Sequence, residues 1–503
     1  MNRRTFLTVT VSGSAGAFFS PPLLANSPEC EWDPDRPFRR LGDPLRILPV
    51  LMVVLPTARP QTSWRSWGGL HTPADVDREI DRIHRELRLL KSQADFPLEF
   101  LPMAQAASVE QAAAGAHPAA DAVLVYANTG SATLLRACLA LAPHAVLFVR
   151  HRSGPVSYWY EALSTRLLGS NRPPAAPNPG TEPTPAHVDD VVVDDPAEVL
   201  WRFRALFGVK NTRKSRILAL GGAWGKYAPD APAKAVERFG FQIIDVGYDA
   251  FAPRLSRARA DTALAAAAER ATRRYLRLPR TRLATDRQFL VNAFILHRVI
   301  RDLMAEHDTS VFTIKSCMGT IIPMSETTAC LPLEILNDEG LIAFCESDFV
   351  ILPAGLLVRH IAGKPVFLHN STFPHAGQVT CAHCTCPRRL DGRRYAPAQI
   401  VTHFESDYGA APKVDMPLGQ RVSFVDPEFS TPRWLGFAGR VRANPSYDIC
   451  RSQQDVEILG NWRRLIPEVR DSHWIMVYGD VLREIGYAAR KFGLDWDAIP
   501  APA

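Results

Sequence analysis

The run Leu341-Ile342-Ala343-Phe344-Cys345-Glu346-Ser347-Asp348 constrains this chain more than any other stretch. Its apolar residues suit a buried strand, yet the run ends in two carboxylates. Buried strands seldom end that way, because an unpaired carboxylate is costly to remove from water. Carboxylates at a strand end are well placed to hold a metal ion or to move a proton. Asp348 is therefore the first candidate functional residue, and the rest of the sequence is searched for groups that can join it.

A chain of 503 residues is too long for one core and predicts two to four domains. A first unit spans 45–190. It opens with an apolar strand at Ile47–Leu55 and a helix started by Thr72-Pro73, with Thr as the cap and Pro at the first position. Val76, Ile80, Ile83, Leu87 and Leu90 lie on one face of that helix. Short strands at 98–101, 122–126 and 145–149 alternate with helical segments, which predicts a parallel, Rossmann-like sheet. Residues 171–185, rich in Pro, Ala and Asn, predict an exposed loop. A second Rossmann-like unit spans 191–310, with strands at 216–220 and 241–246 and a long helix from Asp286 to Met304. A third unit, 311–503, carries the acidic strand end, a Cys/His-rich stretch and a closing helix near 480–492.

The N-terminus reads Asn2-Arg3-Arg4-Thr5-Phe6-Leu7, then a mildly apolar stretch and Pro21-Pro22-Leu23-Leu24-Ala25. This is the pattern of a twin-arginine export signal over residues 1–25, which places the mature protein in the periplasm or outside the cell. Substrates of that pathway cross already folded, so a metal can be loaded first. No later segment has the length of a transmembrane helix, which predicts no stable membrane insertion. The net charge of +6 comes from scattered Lys and Arg, which argues against a nucleic-acid surface. Nine cysteines, an odd number with several in apolar runs, do not make a disulfide framework.

Three further stretches could carry chemistry. Gly221-Gly222-Ala223-Trp224-Gly225-Lys226 follows a strand but lacks dinucleotide and P-loop spacing, so a plain turn is the better reading, with Trp224 or Lys226 lining a pocket mouth. Cys381-Ala382-His383-Cys384-Thr385-Cys386 crowds four potential zinc ligands into six residues without a separated partner pair, which disfavours structural zinc. His383 alone can still face a pocket. His473 opens the strand-like run Trp474-Ile475-Met476-Val477-Tyr478 before Gly479-Asp480. Arg152, Arg388 and His403 read as ordinary structural or surface residues.

Asn337 to Asp348, Gly363-Lys364-Pro365-Val366-Phe367, Ala382-His383-Cys384 and His473 to Asp480 together resemble the L-fucose/L-arabinose isomerase-like superfamily over about residues 311–495. The resemblance implies two Rossmann-like domains followed by a C-terminal domain containing a β-barrel. It implies aldose–ketose interconversion of a small-molecule sugar through an enediol, a trimer or hexamer, and a divalent cation such as Mn²⁺. The ion would be held by a Glu and by residues at the places of Asp348 and His473, and would polarise the sugar carbonyl.

The chain departs from that pattern at Ser316-Cys317-Met318-Gly319-Thr320, where the catalytic Glu position falls on Thr320. Glu326, six residues on, is the expected replacement as base and ligand, with Glu346 and Lys315 as further candidates. Three functions follow as expectations: an exported metal-dependent sugar isomerase, a carbohydrate-binding protein that kept the cleft and lost the base, and a structural protein without a ligand. Buried strand-end carboxylates argue against the last.

Overall fold

A computed structural model describes residues 31–160, 163, 167–169 and 186–499. The expected signal segment (1–25) and the Pro-rich loop (171–185) lie outside the described residues. The first sheet has six strands, all pairs parallel: β1 (Leu45–Met52), β2 (Leu98–Phe100), β3 (Ala104–Ala106), β4 (Ala122–Ala127), β5 (His144–Val149) and β6 (Val191–Val193). The helix after β1 runs Pro73–Gln93. The Thr72 hydroxyl accepts the Asp75 N–H at 3.2 Å and the Asp75 carboxylate accepts the Thr72 N–H at 2.8 Å, a capping box. Val76, Ile83, Leu87 and Leu90 are its buried stripe.

The second sheet positions the candidate site. It contains β7 (Arg216–Leu220), β8 (Gln242–Val246), β10 (Val311–Ile314) and β11 (Ile342–Phe344) in the order β11-β10-β7-β8, all parallel. Between them β9 (Thr281–Leu283) leaves to join a separate small sheet. Strand pairing crosses two of the expected domain boundaries. The division at 310/311 falls inside this sheet, and β6, just past 190, belongs to the first one. Periodicity reports that a strand exists, but not which strand it pairs with. The chain passes from β7 to β8 on one side and then crosses back to β10 on the other. The loops leaving β7 and β10 therefore part, opening a crevice at the carboxyl ends of the strands, where open parallel sheets bind ligands.

The C-terminal part is a closed antiparallel β-barrel. Its strands are β12 (Phe367–Ser371), β13 (Gln378–His383), β16 (Arg421–Pro427), β17 (Arg433–Ala443), β18 (Ser452–Leu459) and β19 (His473–Tyr478). They pair in the order β16-β19-β12-β13-β18-β17, and β17 returns to β16. β14 (Ala398–His403) and β15 (Tyr408–Val414) form the small sheet with β9, and β20 (Asp495–Ile499) lies parallel to β17. Phe424 and Phe437 stack at 4.5 Å inside the barrel with Trp474 edge-on to both.

The period of two along β19 explains how it serves two layers. Trp474, Met476 and Tyr478 pack with the barrel core, whereas Ile475 and Val477 pack with the core of the parallel sheets. His473 has the same parity as Ile475 and Val477, so it opens the strand on the side of the second sheet. Among the described residues no helix is long and apolar enough to cross a membrane.

The helix Cys330–Asp338, which feeds β11, is tied to the segment after β13 by buried acids. Asp338 accepts the N–H groups of Arg388 and Arg389 at 2.9 and 2.7 Å. Its neighbour Glu334, accepting from the Tyr275 hydroxyl at 3.2 Å, has its carboxyl pushed well above the usual range by burial and by Asp338, which favours the protonated form. Glu334→Gln keeps the shape of the protonated acid that burial favours and is expected to change stability by less than about 1 kcal/mol, while Asp338→Ala orphans two buried N–H groups and costs about 2–4 kcal/mol. Urea unfolding of both variants checks the contrast.

Candidate functional site

Loops from two parallel strands, β7 and β11, meet the first residue of β19. The loop after β7 turns on two left-handed glycines, Gly221 (φ 82°) and Gly222 (φ 93°). A Cβ on Gly221 would stand 2.6 Å from the Tyr248 ring, so only glycine lets the loop pass. The loop after β11 makes a similar turn without glycine, since Glu346 (φ 66°) and Ser347 (φ 53°) are both left-handed. Such residues are held by their surroundings and cluster at functional sites.

Those surroundings are the first loop. Ser347 Oγ donates to the Gly222 carbonyl at 2.9 Å, and the Phe349 N–H donates to the Trp224 carbonyl at 2.9 Å. Trp224 Nε1 donates to the Glu346 carbonyl, and the Lys226 N–H donates to Asp348 Oδ1 at 3.0 Å. The same Asp348 oxygen accepts the Val350 N–H at 3.1 Å, which anchors the entry to the next helix.

Asp348 and His473, both named from the sequence, do meet. His473 Nδ1 lies 2.7 Å from Asp348 Oδ2, and both side chains are fully buried. The other ring nitrogen, Nε2, lies 3.2 Å from Glu346 Oε2 and 3.4 Å from Lys226 Nζ. Glu346 is 35% exposed and forms the open side of the cluster. Its second oxygen lies 3.8 Å from His383 Nε2, and His383 Nδ1 is held at 2.9 Å by the Thr385 hydroxyl. The ordered series is thus Asp348, His473, Glu346, His383, with Lys226 beside the central pair.

Charge follows from that geometry. Burial disfavours the imidazolium form of His473 and Lys226 opposes it as well, but Asp348 and Glu346 outweigh both and raise its pKa to about 9. Burial also acts against ionised Glu346, yet His383 and His473 hold its carboxyl well below the usual range. At neutral pH the cluster therefore contains an ionised, partly accessible carboxylate against a protonated, fully buried imidazole.

Other expected residues are placed elsewhere. Glu326, expected as base and ligand, stands apart from the cluster: its carboxylate is 55% exposed and paired with Arg259. It makes no hydrogen bond or ion pair with Asp348 or His473. It follows the helix Cys317–Ser325 in a left-handed conformation (φ 51°) that closes that helix rather than turning back to the strand ends. The Thr320 hydroxyl is spent on the Ser316 carbonyl within the same helix. Lys315 lies over the Trp224 ring at 5.5 Å, beside the cluster.

Glu346 takes the central place. Strand alternation does not govern it, because β11 ends at Phe344 and the two left-handed residues turn the chain. The Cys/His stretch disperses: Cys381 and Cys386 lie in the main core, Cys384 packs with Cys330 and Cys450, and only His383 reaches the cluster. Sequence reading gave Lys226 a pocket-mouth role. Its two contacts with Asp348 and His473 depend on loop pairing that no local pattern reports.

The donor atoms do not fit the expected divalent cation as they stand. One ring nitrogen of His473 is bonded to Asp348 and the other faces Glu346 and an ammonium. Among the described residues no group of three or more His, Cys, Asp and Glu is arranged to hold a metal ion. No protein-family model matches the chain, and no curated protein matches it.

The raised His473 pKa links the site to stability. Protonation favours the fold below the unfolded-state value of about 6.5, and this contribution disappears as pH rises through about 9. It amounts to about 3 kcal/mol for a fully buried ring. The destabilisation caused by His473→Gln is expected to be larger at pH 6 than at pH 10, measured by urea unfolding of both proteins at each pH. An NMR titration placing the His473 midpoint near 6.5 would contradict this.

Proposed function

We propose that this chain is an exported enzyme of the aldose–ketose isomerase type, on two Rossmann-like units and a barrel, acting on a free sugar or a related polyhydroxy carbonyl compound. The observation that supports it best is the placing of a partly open Glu346 carboxylate against the buried, protonated His473, which Asp348 orients, at the crevice of a parallel sheet. A substrate carbonyl beside an adjacent C–H(OH) carbon matches those two groups.

Glu346 takes the proton from the carbon next to the carbonyl, and His473 gives a proton from Nε2 to the carbonyl oxygen, forming an enediol. Glu346 then returns its proton to the former carbonyl carbon while the other hydroxyl gives its proton back to His473. Atoms balance, and the carbonyl has moved by one carbon. The Lys226 ammonium stabilises negative charge developing on the oxygens. Asp348 is a positioning residue that keeps Nε2 of His473 directed at Glu346. The divalent cation that the resemblance implies, Mn²⁺, carries no step in this scheme, because both ring nitrogens of His473 already have partners.

A second reading, carbohydrate binding without turnover, is favoured by two observations. Thr320 stands where the family pattern has its base, and the strong hold on Glu346 weakens it as a proton acceptor.

Deuterium exchange from D₂O into C1 or C2 across a panel of aldoses and ketoses tests both. The isomerase reading expects exchange with at least one sugar, a loss of about 10²–10⁴-fold in Glu346→Gln, and no change in Thr320→Ala. Binding of a sugar without exchange supports the second reading, and neither binding nor exchange overturns both. Metal analysis of the purified protein and of Asp348→Asn measures the cation independently.

A further inference from the structure

The carboxyl ends of β10 and β11 carry a second pair of reactive groups that the proton-transfer scheme does not use. Cys317 Sγ and Cys345 Sγ lie 3.9 Å apart. The two strands are neighbours in register, with Thr313 opposite Phe344, so Cys345 leaves β11 beside the point where Cys317 opens the helix after β10. Both cysteines are free thiols.

The pair is asymmetric. Cys317 is only partly buried and is the first residue of its nine-residue helix. Cys345 is 7% exposed and lies behind it. The contact with Cys345 and the N–H groups of Cys317 and Met318 hold the Cys317 thiol below its usual value, while the same contact and burial push Cys345 well above. A partly exposed thiol in front of a buried one is the arrangement in which the first attacks an external disulfide and the second resolves it.

We propose that Cys317 and Cys345 are an oxidisable dithiol adjoining Glu346 of the candidate site, converted to an intramolecular disulfide by exchange with a low-molecular-weight disulfide. The Cys317 thiolate attacks one sulfur of the external disulfide, forming a mixed disulfide and releasing one thiolate. Cys345 loses its proton and attacks the Cys317 sulfur, forming the Cys317–Cys345 bond and releasing the second thiolate. Two protein thiols are oxidised by two electrons, and one external disulfide is reduced to two thiols.

Closing the pair brings the sulfurs together by about 2 Å. That movement falls on residues flanked by the left-handed Ser316, Glu346 and Ser347. The carboxylate that faces His473 is one residue from the bond, so the oxidised and reduced forms hold Glu346 differently. Three other thiols, Cys330, Cys384 and Cys450, form a separate cluster and serve as the internal comparison.

The experiment uses the reduced full chain with glutathione disulfide, followed by acid quench, alkylation and peptide mass spectrometry. The expected result is a crosslink joining the Cys317 and Cys345 peptides, reversed by dithiothreitol, with no lasting glutathione adduct on either. In Cys345→Ser the adduct on Cys317 is expected to persist, and in Cys317→Ser, which cannot close the pair, glutathione adds to Cys345 at least tenfold more slowly than it adds to Cys317 in Cys345→Ser. Cys384→Ser is expected to leave the crosslink intact. A persistent adduct on Cys317 in the unsubstituted protein, a disulfide confined to the Cys330/Cys384/Cys450 cluster, or no reaction at the pair overturns the proposal. The wild-type crosslink reads out without any variant having to fold, and none of these readouts depends on sugar turnover.

Discussion

The contact between Asp348 and His473 joins the parallel sheet to the barrel. Neither side chain has any exposure, and each would be costly to bury alone: a bare carboxylate lacks partners, and a lone buried imidazole loses its proton. Together they are compatible with the interior, and the pairing spans 125 residues of sequence. Asp348 also takes N–H groups from Lys226 and Val350 on its other oxygen, so one carboxylate fastens the loop after β7, the helix after β11 and the start of β19. Were that carboxylate lost, those three segments would lose their common anchor and Glu346 its fixed partner.

The second constraint is conformational. Ser316, Glu346 and Ser347 adopt left-handed backbone at the ends of β10 and β11 without being glycine, at about 1–2 kcal/mol each. The hydrogen bonds between the loops after β7 and β11 offset this and keep Glu346 from relaxing outward. The outcome is a carboxylate at the rim whose direction is set by backbone rather than by its own rotamer freedom. The same turn brings Cys345 against Cys317, so the rim carboxylate and a thiol pair share one short segment.

Much of the local structure was legible in the sequence. The Thr72-Pro73 cap, the strand Arg216–Leu220 and the long helix capped by Asp286 occur where turn chemistry and periodicity put them. The sheets were harder. β10 and β11 read as the start of a third unit because an apolar run carries no label for its partner, and β7, about 90 residues upstream, is that partner. The four candidate zinc ligands between 381 and 386 point into different surroundings because β13 ends at His383 and the chain turns there.

By itself the sequence determined that an apolar strand runs into carboxylates and that a histidine opens a late strand, since both are local patterns of hydrophobicity and charge. It also marked Thr320 as unable to act as a carboxylate base, because that follows from the side chain alone. Tertiary structure decided which acid stands beside His473. Glu346 takes that place and Glu326 does not, because two left-handed residues turn one back toward the barrel while the other closes a helix beside Arg259. Backbone turns of that kind depend on loops held from outside, and the residues that hold them are far away in the chain.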